Sequence, residues 1–165
     1  MSTADLSRLI NRELASLRDE LLAYPDEADM WKLPKGLPNS GGNLALHLVG
    51  NLRFFIGTQF GATGFVRDRD AEFASKDIPR AQIIHDIELA ADEVTRTLAT
   101  LDPALLDKPF PVEVGGHKIQ TALFLQHLAS HLAYHLGQID YHRRVVTGNS
   151  VSVGAIPVPP LAIQL

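Results

Sequence analysis

IQTALFLQHLASHLAYHLGQIDYHRRVV, residues 119–146, is the longest run of helical periodicity in the chain, and it stops at Gly148-Asn149, a pair suited to ending a helix. With His127 set at zero on the helical wheel, Phe124, Leu128, Ile139 and Leu132 fall at about 60°, 100°, 120° and 140°, one apolar arc. A helix with one such arc needs other helices to cover it, and three segments upstream qualify. Residues 3–24 carry Leu6, Leu9, Ile10, Leu14, Leu17 and Leu21 at three/four spacing. Ser2 and Asp5 are spaced as a capping box there, and Tyr24-Pro25 ends the run. Residues 41–60 follow the N-cap Ser40, with Leu44, Leu48, Leu52, Phe55 and Ile56 as the stripe and Gly50, Arg53 and Gly57 on the other side. Residues 79–101 start at Pro79 and bury Ile83, Ile84, Ile87, Ala91, Val94, Leu98 and Leu101.

The connections are as informative as the helices. Residues 25–40 hold Pro25, Pro34, Gly36 and Pro38 and predict a long covering loop anchored by Trp31 and Leu33. Residues 61–78 are long enough to cross from one end of a bundle to the other, and their charged run Arg67-Asp68-Arg69-Asp70 reads as a solvated loop with helix-capping roles. Between Pro103 and Lys118 the period shortens: Val112 and Val114 alternate with polar residues, and Gly115-Gly116 offers a two-residue turn before His117. The end of the chain, residues 146–165, is apolar and carries Pro157, Pro159 and Pro160, which predict an extended tail lying on the bundle or on a partner subunit. The expected fold is all-α, a four-helix bundle in one domain spanning residues 1–165, with a small hairpin before the last helix.

Composition narrows the functions. The chain has 165 residues, a net charge of −4, seven histidines and no cysteine. No cysteine means no disulfide scaffold, no thiol nucleophile and no thiolate-held metal. An acidic balance argues against nucleic acid, which needs a clustered basic face. Met1 to Ile10 includes Asp5 and Arg8 and has no apolar core of the secretory kind, and no stretch is long and apolar enough for a bilayer. The expected location is the cytoplasm.

The histidines concentrate where the fold is decided. His127, His131, His135 and His142 sit at about 0°, 40°, 80° and 60° on the last helix, with Gln138 at about 20°. An i, i+4 pair projects from consecutive turns with Cβ atoms about 5–6 Å apart, close enough to share an ion. Both His127/His131 and His131/His135 have that spacing. A third nitrogen must come from another element, and His47, at the edge of the leucine stripe of residues 41–60, is the best placed. Three imidazoles with open positions are the catalytic pattern and suit zinc or nickel. Asp86, Glu88, Asp92 and Glu93 offer carboxylates on residues 79–101, though nothing in the spacing aims them at the site. His142 reads as a ring-edge or solvent residue, and His85 and His117 as surface residues.

These residues carry a family resemblance. His131-Leu132-Ala133-Tyr134-His135-Leu136-Gly137-Gln138 resembles the HxxxHRGQ signature that ends the last bundle helix of the DinB/YfiT-like superfamily. His47, in Asn43-Leu44-Ala45-Leu46-His47-Leu48, is similar to that family's second-helix histidine, and Arg67 to Phe73 is similar to a run found in one subgroup. The likeness covers residues 6–146. It implies an up-down-down-up bundle, with the crossover between helices two and three at residues 61–78. It also implies a divalent metal on His47, His131 and His135, a homodimer, and thiol-dependent transferase or isomerase chemistry on a small-molecule substrate. Leu136 departs from the signature, which has arginine there.

The leading expectation is a metal-dependent transferase using a low-molecular-weight thiol, with Gln138 orienting a ligand histidine or a water and Tyr134 reaching the mouth of the site. A non-catalytic metal- or ligand-binding homodimer is the second expectation. A metal-assisted hydrolase is the third, and it needs a carboxylate base near the ion.

Overall fold

The computed structural model describes residues 2–162 and is helical, with no β-strand among them. Helix α1 is Thr3–Leu22. Ser2 caps it: its hydroxyl accepts from the Asp5 N–H while the Asp5 carboxylate accepts from the Ser2 N–H, each at 3.1 Å, the reciprocal bonding of a capping box. Helix α2 is Gly41–Leu52 and continues without a break through a π turn, Arg53–Thr58, and a last turn, Gln59–Gly61. Helix α3 is the short Arg69–Ala74, α4 is Arg80–Thr100 and α5 is Thr121–Thr147. Gly148 closes α5 with φ 67°, a conformation that glycine adopts without steric penalty.

The buried side chains of α1, α2, α4 and α5 form one cluster, including Ile10, Leu14, Leu17, Leu48, Ile56, Ile83, Val94, Leu132 and Ile139. At one end, the Tyr24 hydroxyl just past α1 lies 2.7 Å from His142 Nδ1 near the end of α5. Gly41, the first residue of α2, is packed so closely there that a Cβ would collide with the Tyr24 hydroxyl. The Arg80 guanidinium at the start of α4 reaches the Leu22 carbonyl at 3.4 Å. At the other end, Gly61 packs on Thr97 of α4, and Leu6 of α1 lies in one surface hollow with Ala122 and Leu125 of α5.

Three expectations need correction. Residues 61–78 are not loop throughout, because the short helix α3 forms within them; the capping role expected of the charged run falls to Asp68, which accepts from the Ala71 N–H at 2.9 Å. Leu33 does not anchor the covering loop and is 53% exposed. The short 3-10 turn Glu27–Trp31 instead turns Met30 fully inward and lays Trp31 against Gly42, so the chain leaves the core before residue 33. The hairpin shrinks to two isolated bridges, Val114 with His117 and Pro109 with Gln120. Gly115 and Gly116 take φ 58° and 78° at its tip. The Thr121 and Ala122 N–H groups, which open α5, donate to the Lys108 and Leu106 carbonyls at 2.9 and 3.0 Å, so this loop serves as the helix cap.

The tail runs back over α1. The Arg8 guanidinium donates to the Pro160 and Ala162 carbonyls at 3.0 and 2.8 Å, while Val151, Ile156 and Val158 stay exposed. Residues 163–165, the end of the predicted tail, lie outside the described residues. The tail's start is held by Arg143, fully buried, which donates to the Val151 carbonyl at 2.9 Å and to Glu20 at 2.5 Å.

Candidate metal centre

The leucine stripe of α2 sets His47 against α5. Leu44, Leu48 and Leu52 are buried there, and the rotation that buries them turns His47 toward the consecutive turns bearing His131 and His135. One ring nitrogen from each of the three histidines lies within 4.8 Å of the others. The ring centroids are 5.1 Å (His47–His131), 5.3 Å (His47–His135) and 4.5 Å (His131–His135) apart. His47 Nε2 and His131 Nε2 face each other at 3.3 Å. The structure thus brings together the His131/His135 pair with His47. His127 is not part of the group; it is exposed and stacks on Phe124, with its ring 5.9 Å from that of His131.

What lies behind each imidazole fixes which nitrogen points inward. His47 Nδ1 lies 2.9 Å from Glu72 Oε2, and a carboxylate only accepts, so Nδ1–H donates and Nε2 is left with its lone pair. His135 Nδ1 lies 2.6 Å from Gln138 Oε1, which leaves its Nε2 free in the same way. Gln138 thus sits against the ring of His135. His131 Nδ1 is buried without a hydrogen-bond partner, a costly arrangement for a ring nitrogen that nothing satisfies. Burial, then the neighbouring His135 and His47, hold the His131 pKa down to about 4. Burial also lowers His135. Both rings are therefore neutral at pH 7, the state a metal ligand needs.

Glu72 and its partner Arg67 are the residues that sequence reasoning missed. Arg67 donates from Nε to Glu72 Oε1 at 2.7 Å and from Nη2 to Oε2 at 2.8 Å, a two-pronged pairing. Burial pushes the Glu72 carboxyl up, but the hydrogen bonds from Arg67 and His47 outweigh it and leave the pKa below the usual range. Two features of α2 admit this carboxylate. The Asn43 amide donates to the Glu72, Phe73 and Ser75 carbonyls at 3.1, 3.2 and 2.8 Å, tying α3 to the start of α2. Gly50, one turn after His47, has no side chain where Glu72 Oε1 sits; a Cβ there would collide with it. The signal in the sequence was Gly50 inside a helix that had no turn to justify it.

The other candidates resolve differently. Tyr134 is 64% exposed, its ring 5.2 Å from that of His135. Leu136 is buried in the core, so this position does not face the histidines at all. His142 is not a solvent residue: it is 2% exposed, with Nδ1 against the Tyr24 hydroxyl and Nε2 against the Lys32 carbonyl at 2.8 Å. His85 and His117 are exposed as expected. Of the α4 carboxylates, Glu93 turns inward but is occupied by Arg53, whose Nη2 donates to it at 3.0 Å, while Glu88 and Asp92 are exposed.

Three imidazoles from two helices, two of them oriented from behind, form a donor set that could hold a metal ion. Fold and site together define a class: an all-helical protein with a three-histidine group that could hold a metal ion. The chain belongs to the DUF1572 family, described as a protein of unknown function (DUF1572), which matches residues 5–159. No curated protein and no solved structure matches the chain. No helix among the described residues is long and apolar enough to cross a membrane.

Proposed function

We propose that the chain is a DinB-like protein that binds a divalent ion, zinc or nickel, through His47, His131 and His135, and works as a thiol-dependent transferase or isomerase. The observation that carries this reading is the convergence of ring nitrogens from α2 and α5, with Glu72 and Gln138 bonded to the far sides of His47 and His135. Bound there, the ion supplies Lewis acidity that lowers the pKa of a thiol presented to it. The chain's own residues supply position. Arg67 keeps Glu72 ionised, Glu72 and Gln138 orient two imidazoles, and Tyr134 stands beside His135 at the surface. In the transfer, a carbon–sulfur bond forms as the bond from that carbon to its leaving group breaks, the leaving group taking the electron pair and the thiol proton passing to solvent.

Among the described residues the group has three members and no carboxylate, which favours an open site over a closed structural one of four ligands. Glu72 gives the hydrolase reading no base, because both its oxygens are engaged by Arg67 and His47. The proximities of the helix ends support an up-down-down-up order of α1, α2, α4 and α5: Tyr24 beside Gly41 and His142, Arg80 beside Leu22, and Gly61 beside Thr97. The resemblance further supports a homodimer acting on a small molecule. The test is to follow conjugate formation with candidate thiols and electrophiles in the presence of each metal. Turnover that requires both the metal and His131 is the expected result, and turnover that survives His131→Ala removes the proposal.

A further inference from the structure

One helical turn beyond the histidine group lies a cavity of about 280 Å³, between the covering loop and the outer ends of α2 and α5. Leu44, three residues before His47, and Gln138, three residues after His135, both line it, so it lies about 5 Å along the helix axes from the ligand rings. Its walls are Leu37, Leu44, Tyr141 and Val145, with the Asn39 and Gln138 amides and the edge of His142 as polar points, and no charged side chain lines it. Leu37, Tyr141 and Val145 are 41%, 70% and 63% exposed, which leaves its mouth open to a ligand from solvent. His142 has little left to offer one, since each ring nitrogen already faces a protein partner. Gln138 is different. Its carbonyl oxygen is engaged by His135, and its NH2 has no protein partner among the described residues.

We infer that this cavity is the electrophile's subsite, and that it selects an uncharged molecule with an apolar, ring-sized body and a hydrogen-bond acceptor directed at the Gln138 NH2. The assignment rests on the proposed transferase reading for the word electrophile; the binding preference rests on the cavity alone. The chemistry of the lining sets it. Apolar walls with a few placed polar groups are what bind small ligands, and an anion placed here would meet no basic side chain to offset its lost hydration. Position 136 supplies none either, since it is a leucine, packed into the core. A ligand bonded to Gln138 is also coupled to the metal group, because the same amide holds His135.

The test uses the metal-free full chain and two probes of similar size, benzyl alcohol and benzoate, followed by two-dimensional NMR. The expected result is that benzyl alcohol shifts the amides of Leu37, Leu44 and Val145 and the side-chain NH2 of Gln138, while benzoate at equal concentration does not. Leu37 and Val145 are surface positions, so the Leu37→Asp/Val145→Asp double variant should fold normally and bind benzyl alcohol at least tenfold more weakly. Gln138→Leu should weaken it several-fold. Equal binding of benzoate, shifts centred elsewhere, or unchanged binding in the double variant overturns the inference. So does the absence of any shift, including the case where the double variant turns a dimer into a monomer and the cavity proves to be a contact between copies. The His131→Ala variant separates the two proposals: benzyl alcohol binding should persist in it, whereas thiol conjugation should not.

Discussion

Two histidine environments, at His131 and His142, sit about three turns apart on the same helix, and their difference separates a structural imidazole from a candidate ligand. At His142, Nδ1 meets the Tyr24 hydroxyl and Nε2 meets the Lys32 carbonyl. Both nitrogens are satisfied, and the ring joins the end of α1, the covering loop and α5. At His131, Nδ1 has no partner and Nε2 faces another imidazole nitrogen at 3.3 Å. Burial lowers the pKa of both rings, so burial and titration do not distinguish them. What distinguishes them is the direction of the unused lone pairs. At one end of the site the protein completes its own hydrogen bonds; at the other it leaves nitrogen lone pairs aimed at a common point.

The sharpest way to break this contrast is to delete one ring from each environment. His131→Ala should abolish tight binding of a divalent ion, more than a hundredfold in affinity by competitive titration with a chelating dye, while leaving unfolding by urea nearly unchanged in the metal-free state. His142→Ala should do the opposite. Metal affinity should hold within a few-fold, while stability falls by about 1–3 kcal/mol, because the buried Tyr24 hydroxyl loses its closer partner and the Lys32 carbonyl loses its imidazole. If both variants lose metal equally, the distinction drawn from lone pairs is wrong.

A smaller effect should follow from Glu72→Gln. The amide keeps the shape but loses the charge that orients His47 and neutralises Arg67, and losses of about 10–100-fold in metal affinity are typical of such partners. Gly50→Ala tests the same contact through the backbone: its methyl would displace the carboxylate, so affinity should fall in the same direction with α2 still helical by circular dichroism. The smallest effect is in the pH dependence. The folded pKa of His142 lies below its unfolded value of about 6.5, so the unfolded chain takes up its proton first as pH falls. Stability is therefore fully present above about pH 6.5 and declines as pH drops below it, until the folded ring also protonates. Stability measured from pH 7.5 to 5 should decline less in His142→Phe than in the parent.

The four long helices were readable because each depends on one periodicity, whereas the short α3 has too few residues to show one. The register that buries Leu128, Leu132 and Ile139 puts His127, His131 and His135 on one stripe, which left two pairs open on the wheel; only the family resemblance favoured His131 with His135. The third histidine was readable from the leucine stripe on α2. Glu72 and Arg67 were not, because they reach His47 only after α3 folds back on α2, and that contact depends on an absent side chain at Gly50 and on the Asn43 amide. His142 was misread as a ring-edge or solvent residue because the groups that cover it, the Tyr24 hydroxyl and the Lys32 carbonyl, come from far away in sequence. Leu33 was misjudged because a loop's apolar residues carry no period to say which one turns inward.

Whether imidazoles from α2 and α5 share one cation can be read from X-ray absorption at the metal edge of the purified protein. Three nitrogen ligands of imidazole type at about 2.0–2.1 Å are expected for zinc, falling to two in His47→Ala. A first shell without imidazole, or one that His47→Ala leaves unchanged, would contradict a shared cation.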